Sequence, residues 1–252
     1  MAEYWVTHLT RYTYSENVSH CHNIAHMLPQ SDSRQNCSPT EISVSPLPRI
    51  FNERSDYFGN RFCYFSVEEP HSELEVLTKT RVSTAPAASA PYTDSPPWER
   101  LAAQLQNPGT NELILASEFT QASPFIPLSA ELGDYARSVF LPQRPVLDAC
   151  FALAKQIRAD FKYDQKATNI LTPLSEVLKN RKGVCQDFAH LCIAALRSIG
   201  LAAGYVSGYI ETFPPAGQPK LRGSDASHAW FSVFVPGSAA NPAGAWFDFD
   251  PT

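Results

Sequence analysis

Apolar and polar positions divide the 252-residue chain into a first third with short-period alternation, a middle with helical periodicity and a last stretch of strand-like runs. Leu74, Val76, Thr78, Thr80 and Val82 alternate with polar neighbours, the pattern of a half-buried strand. Tyr4, Val6, Leu9, Tyr12 and Tyr14 alternate less regularly and predict an opening strand or hairpin arm. Ile42 and Val44 form a further short segment that Ser45-Pro46-Leu47-Pro48 interrupts, and Asp56-Tyr57-Phe58-Gly59-Asn60 reads as a turn before Phe62, Tyr64 and Phe65. Residues 1–84 are therefore expected to form a small all-β, sandwich-like domain.

Residues 84–97 are rich in Ala, Ser and Pro and read as a linker, so 85–143 is taken as linker and helical lead-in. Short helices are expected from Trp98 to Leu105, with Pro97 in its first turn, and from a Ser129 cap to Phe140. From Pro145 to Phe161, Val146, Cys150, Leu153, Ile157 and Phe161 recur near a period of 3.6, and another short helix opens at Thr172–Glu176 and ends near Asn180. Cys185 begins the next helix. Its apolar stripe of Phe188, Leu191, Cys192, Ala195, Leu196 and Ile199 requires a partner, and Gly200 suits the left-handed residue past its end. Strand-like segments follow at Ala203–Ile210, His228–Val235 and Ala245–Phe249, with a Pro- and Gly-rich loop, Phe213–Gly223, between the first two. Helices followed by a run of strands predict an α+β domain on an antiparallel sheet over 144–252.

A formal charge of −5 provides no electrostatic footprint for nucleic acid, and no apolar run approaches the roughly 20 residues that span a bilayer. The first residues lack the basic and apolar regions of a secretion signal, so a cytoplasmic address is expected. Six cysteines without tight spacing are expected to stay reduced. Cys185 and Cys192, about 10 Å apart along one helix, are too distant to pair. His20, Cys21, His22, His26 and Cys37 suggest zinc at first sight, but the three histidines alternate as on a strand and no Cys-x-x-Cys turn accompanies them. Neither a metal nor a cofactor is expected, and nothing defines an oligomeric state.

The candidate chemistry centres on Gly183-Val184-Cys185-Gln186-Asp187-Phe188-Ala189-His190, where a polar turn runs into a helix. Unpaired N–H groups and the positive end of the helix dipole favour thiolate over thiol at such a position. A thiolate that attacks a carbonyl needs a histidine to hold its proton, a carboxylate to orient that histidine, and donors for the oxyanion. His190 lies five residues along the same helix, about 140° around and 7.5 Å up, out of reach of the thiol. His228, at the head of a strand, is the better base, and His190 is given a structural or supporting role. Asp248 and Asp250, two apart, would share a strand face, so alternation does not choose between them. Asp187 would favour the helix N-terminus but oppose a thiolate, and is not cast as catalytic.

These segments, with Tyr205-Val206-Ser207-Gly208-Tyr209, Ser227-His228-Ala229-Trp230 and Phe249-Asp250-Pro251-Thr252, resemble the bacterial transglutaminase-like superfamily, of the cysteine protease type. The likeness spans 145–252 and extends to 3–82, which looks like the N-terminal β-region of such proteins, notably at Asp56–Asn60 and Glu69-Pro70-His71. It implies a papain-like α+β core and a Cys185, His228, Asp250 triad, because the family's aspartate directly precedes Pro-Thr. It also implies acyl transfer from an amide of a peptide or protein through a thioester. Hydrolysis is favoured over glutamine–amine transfer, and a non-catalytic binding module on the same fold is the remaining alternative. Members continue past Asp-Pro-Thr, so the core is expected to lack their later strands. Tyr163 is the candidate oxyanion donor, and Gln186 and Trp230 are candidates to border the cleft, although Trp230 suits core packing equally well.

Overall fold

The computed structural model describes residues 2–85, 92–211, 227–237 and 244–252. The chain divides into two compact units, Met1–Ser89 and Ala90–Thr252.

The first unit contains β1 (Ala2–Val18), β2 (Cys21–Ala25), β3 (Gln35–Cys37), β4 (Glu41–Ser45), β5 (Ile50–Ser55), β6 (Arg61–Val67) and β7 (His71–Thr84). One sheet has the order β1-β7-β3, with β4 also pairing β7; a second has the order β2-β6-β5. All of these pairings are antiparallel. The alternation in β7 buries Leu74 and Val76, which pack with Phe65 and Val67 of β6. One small core thus joins the two sheets, as a sandwich requires. β5 is exposed throughout, so no alternation announced it in the sequence. Asp56 accepts hydrogen bonds from the backbone N–H and the side-chain amide of Asn60, and Gly59 has φ +82°, which accounts for the Asp-Tyr-Phe-Gly-Asn turn.

In the second unit, α1 (Trp98–Gln106), α2 (Asn111–Ser117), α3 (Ala130–Arg137) and α4 (Val146–Asp160) precede a two-residue strand, β8 (Lys162–Tyr163). Then come α5 (Leu174–Asn180), β9 (Lys182–Gly183), α6 (Cys185–Ser198), β10 (Ala203–Tyr209), β11 (Ser227–Val235) and β12 (Ala245–Phe249). Ser129 caps α3 by accepting from the Leu132 N–H, 3.2 Å away. Thr110 caps α2 in the same way, over a seven-residue helix that the apolar periodicity did not reveal. β10, β11 and β12 form an antiparallel sheet in that order, whereas β8 and β9 pair in parallel. Residues 86–91 of the Ala-, Ser- and Pro-rich stretch and the whole Pro- and Gly-rich loop, within 212–226, lie outside the described residues. The rest of that stretch includes a 3-10 turn at Tyr92–Asp94 and ends at Pro97, which caps α1.

α6 is the hub of this unit. It packs against β10 and β11 and against α3, α4 and α5, so burial extends well beyond the expected stripe to Ile193 and Ala194. Each large apolar side chain fully withdrawn here, such as Leu191 or Leu196, contributes about 1.5–3 kcal/mol. Gly200, with φ +83°, ends the helix, and the Arg197 guanidinium donates back to the Ala203 carbonyl from Nε (3.0 Å) and Nη2 (2.8 Å). That bracket fixes how α6 hands over to β10, and so how the helix lies on the sheet.

Candidate active site

Cys185 and Gln186 open α6, His228 and Trp230 lie at the head of β11, Asp250 directly follows the end of β12, and Tyr163 lies on β8. Cys185 is the first residue of α6 and is half-buried. Val184 caps the helix with extended backbone and has no side-chain acceptor to offer. The Asp187 carboxylate supplies the return bond instead, accepting from the Val184 N–H at 2.8 Å. It also accepts from the Thr168 hydroxyl at 2.6 Å. A methyl group on residue 183 would lie 2.8 Å from Asp187 Oδ2 and 2.9 Å from its Cβ, which explains the glycine in Gly183-Val184-Cys185.

His228 Nε2 lies 2.9 Å from Asp250 Oδ2. The His228 side chain is 14% exposed and that of Asp250 41%, so the imidazole is sheltered while its carboxylate remains open to water. β12 ends at Phe249, which corrects the expectation that Asp248 and Asp250 share a strand face. Asp248 stays in the ladder opposite Ser232, whereas Asp250 lies in the turn beyond it. There Asp250 Oδ1 accepts from the Thr252 N–H at 2.9 Å, an Asx-turn over the buried Pro251. Asp-Pro-Thr is thus a device for aiming one carboxylate oxygen while the backbone holds the other. The Cys192 thiol is pushed well up, first by burial and then by Cys150 and Asp250.

His190 does not join this group. Its ring stacks on Phe125 at 5.9 Å and lies 5.1 Å from that of Tyr205. Burial lowers its pKa, and the Asp187 charge only partly opposes this. It is a neutral packing residue. Trp230 shares a face of β11 with His228, its ring 6.1 Å from the imidazole. Its indole lies over Gly208, where a β-carbon would come within 2.4 Å of the ring. Tyr163 pairs with Gly183 in the β8–β9 ladder, and its ring lies nearly perpendicular to that of Phe188, 6.4 Å between centroids. Gln186 is the half-buried second residue of α6.

Two neighbours carried no assigned role in the sequence. Tyr205 belongs to the Tyr205-Val206-Ser207-Gly208-Tyr209 segment; its phenol pKa is raised by partial burial and then by Cys185 and Asp187, and its ring lies 5.1 Å from that of His190. Thr168 had no signal, because its partnership with Asp187 spans 19 residues of irregular chain. Thr168 also lines a cavity of about 330 Å³ with Asp164, Thr172, Glu176, Asn180 and Lys182. In the His- and Cys-rich stretch of the first unit, His22 Nδ1 lies 2.8 Å from the Tyr64 hydroxyl, and the Cys37 thiol donates to the Gln30 carbonyl. Among the described residues no cluster of three or more His, Cys, Asp or Glu side chains could hold a metal ion, and no helix is long and apolar enough to cross a membrane.

An α+β core with a cysteine opening its central helix and a His–Asp pair at the strand ends of the adjoining sheet is the architecture of transglutaminase-like proteins, and the chain belongs to that superfamily. Residues 133–251 match the transglutaminase-like superfamily, and residues 4–83 match the bacterial transglutaminase-like N-terminal region. An uncharacterized protein of Mycobacterium tuberculosis strain H37Rv is 39% identical over 252 residues, covering 99% of this chain and 78% of its own. An uncharacterized protein of Mycobacterium leprae is 28% identical over 247 residues, covering 98% and 82%. A candidate cysteine protease from Cytophaga hutchinsonii shares the fold, with a TM-score of 0.70 at 21% identity, over 99% of this chain and 76% of that one.

Proposed function

We propose that the protein is a cysteine acyl-transfer enzyme that cleaves an amide bond of a peptide or protein, with Cys185 as nucleophile, His228 as base and Asp250 as its orienter. The observation that carries this reading is the 2.9 Å contact between His228 Nε2 and Asp250 Oδ2. With Nε2 committed to the carboxylate, Nδ1 is the nitrogen left to take the proton of Cys185. The thiolate then adds to the carbonyl carbon, and the oxyanion is received by N–H groups at the start of α6, with Tyr163 as a further donor. The C–N bond breaks as the imidazolium protonates the leaving amine, and a thioester remains on Cys185. Water, deprotonated by His228, releases the acid and restores the thiol.

Hydrolysis is preferred over transfer to an amine, in keeping with the reading given to the Cytophaga protein. Gln186 and Trp230 would border the cleft. A reducing, cytoplasmic setting belongs to the same reading. The test is turnover of a peptide-amide library with and without added labelled amine. Acid products that depend on Cys185 and vanish in Cys185→Ala support the proposal. Amine incorporation that outpaces ammonia release would replace hydrolysis by transfer, and product formation by Cys185→Ala would end the nucleophile assignment.

A further inference from the structure

The Asp187 residue is only 6% exposed, although it lies two residues from the nucleophile, where a negative charge opposes thiolate formation. A site built around a thiolate should not keep a carboxylate there without a compensating use. Its hydrogen bonds suggest the use. Both end on one oxygen: Oδ2 accepts from the Val184 N–H (2.8 Å) and from the Thr168 hydroxyl (2.6 Å). One atom, on Asp187, therefore joins the residue before Cys185 to a loop residue that lies 19 positions before Asp187 in the chain. The side chain fills the space above Gly183, so it bears on both residues that lead into the nucleophile. The α6 start is held a second time through the backbone, where the Asp164 N–H donates to the Gly183 carbonyl at 2.9 Å.

We propose that Asp187 is a positioning residue that fixes the Cys185 turn to the Thr168 loop by its hydrogen bonds, its charge not being required. The inference rests on Cys185 as the nucleophile. Because both bonds end on a single oxygen, the amide oxygen of Asp187→Asn can reproduce them while removing the charge, whereas Asp187→Ala removes both. Thr168→Val removes the second donor, and Thr168→Ser restores it.

Acetylation of the full chain by 4-nitrophenyl acetate provides the readout. The Cys185 thiolate attacks the acetyl carbon, the ester C–O bond breaks, 4-nitrophenolate leaves and a thioester forms, with the thiol proton on His228. Alkylation of Cys185 by iodoacetamide is the comparison, since it uses the same sulfur without an oxyanion. Misplacing a reacting group by about 1 Å costs about 10²-fold, so acetylation of Asp187→Ala should fall by about that factor. Alkylation should fall by less than about tenfold, because no carbonyl geometry enters it. Asp187→Asn and Thr168→Ser should stay within about threefold of the unaltered protein, with Thr168→Val about tenfold slower, a small fraction of the orientation effect. Three results would overturn the proposal: Asp187→Asn as slow as Asp187→Ala, acetylation and alkylation falling together, or full acetylation of Asp187→Ala. Cys185→Ala separates the two levels. If it is acetylated as fast as the unaltered protein, the nucleophile assignment fails; if it is silent while Asp187→Ala is unimpaired, only the positioning role fails.

Discussion

His228 and Asp250 are joined by a 2.9 Å contact between Nε2 and Oδ2, across a junction where one residue is still in a strand and the other has just left one. The asymmetry gives each a distinct mechanical role. His228 is held by the ladder opposite Gly208, and Asp250 by its bond to the Thr252 N–H.

Asp250→Asn should preserve that turn and still lose activity. The amide oxygen can keep the Thr252 N–H, but the amide nitrogen then faces His228 Nε2 as a donor and forces the proton onto Nδ1. An imidazole protonated there cannot accept from a thiol. Acetylation by 4-nitrophenyl acetate should fall roughly 10²- to 10⁴-fold, the upper figure being that of a fully buried orienter. A loss below threefold would mean that the tautomer is not set by Asp250.

Cysteine labelling should be selective. Burial pushes the Cys63 thiol up to about 11 and also raises Cys37, Cys150 and Cys192. Iodoacetamide at pH 6, followed by peptide mapping, should modify Cys185 ahead of all four. Equal labelling of Cys185 and Cys37 would contradict an activated nucleophile.

Acid should weaken the second unit partly through His190. Its folded pKa is depressed by burial, so the unfolded chain binds its proton first. Stability is fully present above the unfolded value of 6.5 and declines as pH falls below it, toward the lower folded value. His8 in the first unit acts with the same sign, so a comparison of variants is needed. His190→Phe should show a smaller drop in melting temperature between pH 7.5 and 5.5 than the unaltered protein, and an identical drop would exclude His190.

Leu196→Ala tests the scaffold rather than the chemistry. Leu196 is wholly buried in α6, and truncation should cost about 2–5 kcal/mol by denaturant titration. Cys185 labelling in the folded fraction should be retained.

Much of this architecture was legible because a single apolar face was at stake. The alternation of β7 and the period of α4 both report one buried side, and Gly200 marked the end of α6 because only its left-handed φ fits there. Where burial is absent or all-round, the signal fades. β5 exposes every residue, α2 is two turns long, and α6 buries far more than its stripe shows. At the site, helix geometry removed His190 from contention without any structure. The choice of Asp250 came from likeness to a family, because spacing does not reveal that β12 stops one residue earlier. Thr168 was invisible for a different reason. A hydroxyl that meets a carboxylate across 19 residues of irregular chain leaves no periodic trace.

The indole of Trp230 lying over Gly208 makes two distant positions in the sequence a single inherited unit. Gly208→Ala alone would drive the ring from its place beside His228, and Trp230→Ala alone would bare the strand it covers. Once the ring is gone, however, a methyl group at 208 has nothing to strike. The second substitution should then cost far less than the first, so the pair will be strongly epistatic. Trp230 therefore keeps its place beside His228 only while residue 208 has no side chain, and a change at either position alters what the other can become.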